Sequence, residues 1–308
     1  MMQVFSRGLK LMGNHFEFSV VGENESRANA CIDHAIAEVQ RIEQLLTTFR
    51  DSSQTNQINA MAGIEPVTVD AEIFNLIERA QRISELTQGA FDITYGSIDK
   101  RLWNFDTTMT ALPDAATAKA SVRLINFRNV ILDREHSTVF LKYPGMRIGF
   151  GGIGKGYAAD CAKRIMLADG VENGIVNAAG DLTVWGKQPN GQPWTIGIAD
   201  PDSKNLPFGS VMLTNTSVAT SGNYEKYVTI GGKKYSHTID PKTGMPVSGI
   251  KSVTIIAQIA ELADAMATPV MVMGIKAGLN LINQMHGIAC IIIDDDNNVY
   301  TSKNINLT

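Results

Sequence analysis

At 308 residues the chain can form one large domain or two ordinary ones, and either buries a substantial core. A composition 44% apolar and 19% charged is that of a globular protein, and a net charge of −4 without a basic block or aromatic–basic interleaving argues against nucleic acid as a partner. No apolar run is long enough to span a bilayer.

The amino terminus lacks the apolar core of a signal peptide, so the chain as given is expected in the cytoplasm; removal of an upstream leader would instead place it in the periplasm or on a membrane anchor. Leu9 to Val21 alternates around Phe16, Phe18 and Val20 and predicts an opening strand. Ser26 is the expected cap of a helix to about Leu46, whose apolar residues recur at three- and four-residue spacing from Cys31 through Val39 to Leu46. Thr47 to Asn56 reads as a polar surface segment. A second amphipathic helix is expected from an Asp70 cap through Leu86, stopped by Gly89. Ala90 to Gly96 is too short for a helix, Ala115 to Leu124 suits a short one, and Val130 to Leu141 reads as a hairpin.

Downstream, Tyr157 to Ala168 is predicted helical and Gly174 to Trp185 a strand interrupted by small residues. Strands follow at Trp194–Ile198, Ser210–Leu213, Tyr227–Ile230 and Ser252–Ala257. Helices at Glu261–Met273 and Ile275–Met285 precede a last strand at Ala289–Ile293. Hairpin-like strands with interspersed helices point to an α+β fold rather than a doubly wound sheet. Cys31, Cys161 and Cys290 are odd in number, far apart and set in apolar runs, the pattern of buried free thiols.

The densest motif is the glycine loop, Gly149 to Gly156, with five glycines and Lys155 in eight residues. Gly149, Gly151 and Gly154 satisfy G-x-G-x-x-G, whereas Gly149, Gly154 and Lys155 satisfy most of G-x-x-x-x-G-K. The first reading wants an acidic residue ending the next strand, and Glu172 precedes that strand instead. The second lacks its magnesium hydroxyl, because position 156 is glycine. What both share is backbone amides, a helix N-terminus and a cation offered to an anion, so a phosphate-bearing ligand is expected.

If Glu261 to Thr268 is helical, Asp264 and Thr268 share a face one turn apart and can serve one hard cation; alternatively, Asp264 caps a helix and Thr268 bonds its own backbone. His237 closes a strand and opens a polar turn, Asp240-Pro-Lys-Thr-Gly244; a lone histidine there is a base or an ordinary surface or core residue. Thr216 to Tyr224 is rich in small hydroxyl residues and reads as a loop lining a site, since no base is paired with a nucleophile there.

Together these segments resemble the ApbE family, the FAD:protein FMN transferases. The motifs that carry the resemblance stand in the family's order: Ala90-Phe-Asp-Ile-Thr94, Gly151-Gly-Ile-Gly-Lys-Gly-Tyr157, Val176-Asn-Ala-Ala-Gly-Asp181, Val218-Ala-Thr-Ser-Gly222, His237-Thr-Ile-Asp-Pro-Lys-Thr-Gly244 and Ala263-Asp-Ala-Met-Ala-Thr268. The resemblance implies one ApbE-like domain over 1–308, with mixed, largely antiparallel sheets and flanking helices. It implies magnesium-dependent cleavage of FAD, attachment of FMN through a phosphoester to a Thr or Ser of an acceptor protein, and release of AMP. Acceptors of the family include redox-pump subunits and flavin reductases.

By the same resemblance, metal ligands fall on Asp264, Thr268 and the Gly152 carbonyl, and the base falls on His237. Flavin contacts fall on Met12, Phe49, Ala90, Phe91, Asp92, Gly149, Lys155 and Thr238. The chain departs from the family pattern at Gly149 (usually Asp), Phe49 (usually Tyr), Thr238 (usually Ile) and Gly154 (usually Ala). Two other outcomes use the same residues: a magnesium-dependent FAD pyrophosphatase giving FMN and AMP, or a non-catalytic FAD-binding protein.

Overall fold

A computed structural model describes residues 1–99, 110–200, 203–222 and 227–305, with the side chains of 199, 200 and 203–208 outside that description. The first elements are β1 (Gln3–Leu11), β2 (Asn14–Gly22), α1 (Glu25–Leu46), α2 (Gln54–Ala60), β3 (Val67–Thr68) and α3 (Ala71–Leu86). A 3₁₀ turn (Ile93–Ser97), α4 (Ala115–Ser121), a second 3₁₀ turn (Phe127–Asn129), β4 (Val130–Asp133), β5 (Thr138–Leu141) and α5 (Gly154–Ala168) follow. Then come β6 (Gly174–Ala178), β7 (Asp181–Trp185), β8 (Trp194–Asp200), β9 (Ser203–Leu213), β10 (Thr216–Gly222), β11 (Tyr227–Ile230) and β12 (Lys233–Ser236). The chain closes with β13 (Ile250–Ala257), α6 (Ala260–Met273), α7 (Ile275–Ile282), β14 (Ile288–Asp294) and β15 (Val299–Thr301).

Eight strands form the central sheet in the order β1-β2-β6-β7-β10-β13-β14-β15, and each neighbouring pair runs antiparallel. The fold is therefore α+β with largely antiparallel sheets, as expected. Helices α1, α5 and α6 pack side by side against this sheet. The stripe of α1 supplies Ile32, Val39 and Ile42, all fully buried, each contributing about 1.5–3 kcal/mol of transfer free energy. β14 is buried along its whole length, its run Ile291–Ile293 is apolar on both faces, and α7 packs against it. Near the other end, the β8–β9 ribbon covers Val21 and Val184 through Trp194 and Ile196.

Several boundaries differ from expectation for local reasons. The opening strand is a hairpin: Met12 (φ 50°) and Gly13 (φ 75°) make a two-residue turn between Leu11 and Asn14. The interrupted strand at Gly174–Trp185 is a second such hairpin, turning at Ala179 (φ 56°) and Gly180 (φ 98°). α1 is capped by Asn24, whose side chain accepts from the Arg27 amide at 2.9 Å, rather than by Ser26. Asp70 stands at the N-cap of α3 but makes no capping bond; it binds Gln54 instead. The polar segment after α1 contains the start of α2, capped by Ser53.

The largest correction concerns Thr216 to Tyr224. Its described part is not a loop but β10, a central strand between β7 and β13, whose small side chains let α6 pack closely. Asn223 and Tyr224 lie outside the described residues.

Candidate active site

The approach to the glycine loop is built by side chains that act as strand neighbours. Asn59 on α2 accepts from the Ile148 amide at 2.7 Å and donates to its carbonyl at 3.1 Å. Ser97 does the same for Arg147, and Gly149 donates to the Ile93 carbonyl at 3.0 Å. Beyond this clamp Gly149 and Gly151 face open space, and α5 starts at Gly154.

At that start α5 meets α6 backbone to backbone. A Cβ on Gly156 would stand 2.2 Å from the Ala260 carbonyl oxygen and 2.8 Å from Asp264 Cβ, so only glycine allows the approach. The Gly156 amide donates to Asp264 Oδ2 at 3.0 Å, and Asp160 accepts in return from the Ala260 and Glu261 amides at 3.0 and 2.8 Å. Each helix thus caps the other with a carboxylate. Asp264 is a capping residue, but of the partner helix rather than its own. Because its carboxylate takes the Gly156 amide, no backbone hydrogen bond reaches the Gly152 carbonyl among the described residues.

Lys155 carries the charge of the loop. Its ammonium contacts Asp181 Oδ2 and lies 3.3 Å from Asp264 Oδ1. Burial works against this ammonium, but the carboxylates of Asp264 and Asp181 outweigh it and hold its pKa above the usual lysine value. Asp181, 4% exposed, is held by the Ala179–Gly180 turn and accepts weakly from the Thr220 amide at 3.3 Å. Burial and then Asp264 push its pKa up to about 7, with Lys155 opposing. Asp181 closes a motif recognised in the sequence, yet its pairing with Lys155 depends on a hairpin that the local pattern did not reveal.

A cavity of about 390 Å³ opens beside this crossing. It gathers Ala90, Phe91 and Asp92, the glycines 149, 151 and 152, His237, Thr238 and Thr268, together with Ser221 from the segment expected to line a site and Tyr95, which the sequence pattern did not mark. Thr268 Oγ1 lies 3.4 Å from Ser221 Oγ, a contact that places β10 in the site wall. His237 follows β12 in a segment tied at both sides. Thr238 donates to Ser236 Oγ at 3.0 Å, Val247 donates to the Thr238 carbonyl at 2.9 Å, and Ile239 donates to the Tyr95 hydroxyl at 3.3 Å. Buried Asp92 has both oxygens occupied, one by the Thr94 amide and hydroxyl and the other by the Phe127 amide, and burial raises its pKa. Its carboxylate shapes the wall through these bonds.

Four expected site residues stand outside that lining: Met12, Phe49, Lys155 and Asp264. Met12 Cε lies 3.7 Å from where a Cβ of Gly154 would be, so it flanks the loop. Phe49 is 96% exposed, yet its backbone is pinned, because Asn56 Nδ2 donates to the carbonyls of both Thr48 and Arg50 at 2.9 Å. Glu38, Glu72 and Cys161 also cluster, but Arg41 bridges both glutamates and Arg164 donates to the thiol, which makes this an ion-pair network.

The ApbE family model matches residues 12–292. A curated relative from Klebsiella pneumoniae (strain 342), named FAD:protein FMN transferase, is 32% identical over 304 residues, covering 98% of this chain and 92% of the relative. One of the same name from Treponema pallidum (strain Nichols) is 32% identical over 295 residues, covering 91% and 81%. Among solved structures, the ApbE protein of Thermotoga maritima superposes with a TM-score of 0.86 at 30% identity, covering 98% of this chain and 97% of that one. The apo flavinyl transferase ApbE of Pseudomonas stutzeri gives 0.84 at 26% identity, covering 98% and 95%. With a family match across nearly its whole length and this fold, the chain belongs to the ApbE family.

Proposed function

We propose that the chain is a magnesium-dependent FAD:protein FMN transferase, moving FMN to a Thr or Ser hydroxyl of a flavoprotein acceptor and releasing AMP. The observation that carries this reading is the convergence of residues 90–92, the glycines 149, 151 and 152, residues 237–238 and Thr268, distant in sequence, on one cavity beside Lys155. Membership of a family whose relatives bear that name supports it.

The residues at the crossing fit a hard cation. Asp264, Thr268 and the Gly152 carbonyl are all oxygen donors, and the carbonyl is spared backbone pairing by Asp264 itself. Magnesium held there would offset negative charge on a pyrophosphate. Lys155 adds a permanent positive charge, and Asp181 fixes where that charge points. The loop amides and the α5 N-terminus favour the same anion. Phe49, exposed on a pinned backbone, suits stacking on a planar ring.

His237 takes the acceptor hydroxyl proton as the new O–P bond to FMN forms and the P–O bond to AMP breaks, a contribution of roughly 10²–10⁴ in rate. His237→Ala should therefore bind FAD but leave an acceptor unmodified; transfer at the wild-type rate would remove His237 as the base. FAD and magnesium without acceptor separate transfer from hydrolysis: rapid FMN and AMP formation there would make the chain a pyrophosphatase.

A further inference from the structure

Next to the site cavity lies an open groove of about 760 Å³ whose chemistry the transfer reaction does not use. Lys119, Arg123, Arg128 and Lys242 line it, all exposed, in a chain of net charge −4. The carboxylate of Asp92, also in the lining, is already satisfied by Thr94 and Phe127. Among the described residues no carboxylate lies at salt-bridge distance from Arg123, Arg128 or Lys242. Lys119 donates to the Lys242 carbonyl and so ties α4 to the turn that follows His237. Asp92 and Pro241 line both the groove and the cavity, so the two adjoin across a shared wall.

We propose that this groove docks an acidic segment of the acceptor protein, so that a hydroxyl beside that segment reaches past Pro241 to His237. The proposal rests on the transferase reading, which supplies the need for a protein at this mouth of the cavity. Like-signed groups around a groove steer and orient an oppositely charged partner more than they add affinity, and the effect is screened by salt.

The test uses the intact chain with FAD and a fluorescent, glutamate-rich peptide containing one threonine, compared with its glutamine counterpart, read by anisotropy. The glutamate peptide should bind at low salt and the glutamine one at least about tenfold more weakly, a typical margin for an electrostatic contact. The double variant Arg123→Glu/Lys242→Glu should abolish the preference, and Arg123→Gln/Lys242→Gln should fall between, with FAD affinity unchanged in both. Equal binding of the two peptides, a preference untouched by charge reversal, or tighter binding of an oligothymidylate than of the glutamate peptide overturns the proposal. Anisotropy needs no turnover, so a chain that never forms a protein–flavin bond would sink the transferase reading by a separate readout.

Discussion

The amide of Gly156 donates to the Asp264 carboxylate at 3.0 Å, across a helix contact so close that a methyl group would overlap the Ala260 carbonyl. That bond joins the glycine loop to the proposed metal ligands and ties the site to the packing of α5 on α6.

Gly156→Ala should consequently cost stability as well as activity. Neither the carbonyl nor Asp264 Cβ can swing away, so overpacking of about 1–3 kcal/mol is expected. Gly151→Ala is the control, with nothing within 4 Å of its new methyl group. Urea unfolding of both variants measures the difference, and equal midpoints would refute the steric account.

Asp181→Asn keeps shape but removes the charge that holds Lys155. A supporting residue of this kind is worth roughly 10–100-fold in activity. Turnover should fall by that order while the fold, followed by circular dichroism, stays intact. Undiminished turnover would mean that Asp264 alone positions the ammonium.

The network outside the site sets part of the acid sensitivity. The Arg41 hydrogen bond, aided by Tyr157, holds the Glu72 carboxyl below its ordinary range despite some burial. Its folded pKa lies below the unfolded value of about 4.3, so the native state binds fewer protons there. The stability it contributes is complete above that value and is lost as pH falls through the folded pKa. Glu72→Gln should flatten this acid limb in denaturant titrations at stepped pH; an unchanged limb would contradict the assignment.

Burial pushes the Cys290 thiol up to about 12 and raises Cys161 as well. Both should resist alkylation at mildly alkaline pH until the chain unfolds. Labelling of the native protein, followed by mass spectrometry, checks this, and fast modification of Cys290 would show that β14 opens locally.

Much of this site was legible because its motifs are local. The Ala90–Asp92 run, the glycine loop, His237 with its turn, and the Asp264–Thr268 pair each announce themselves within a few residues, and helix periodicity located α1 and α3. What was not legible depends on pairing across the chain. Thr216–Gly222 carries no apolar alternation, because as a central strand it must be small to admit α6. Asp181 acquires its role from a turn in which Ala179, not glycine, takes a positive φ. Asn59 looks like any polar helix residue, yet it serves as the strand neighbour of Ile148. Gly156 read as a missing hydroxyl; in the fold it is the contact point of two helices.

The most direct measurement is the intact mass of a candidate acceptor, a flavin reductase or redox-pump subunit, after incubation with this chain, FAD and magnesium, with AMP quantified alongside. The proposed transfer predicts one FMN added per acceptor, surviving denaturation, with an equal amount of AMP released and both lost in Asp264→Ala. FMN and AMP free in solution beside an unmodified acceptor would contradict it.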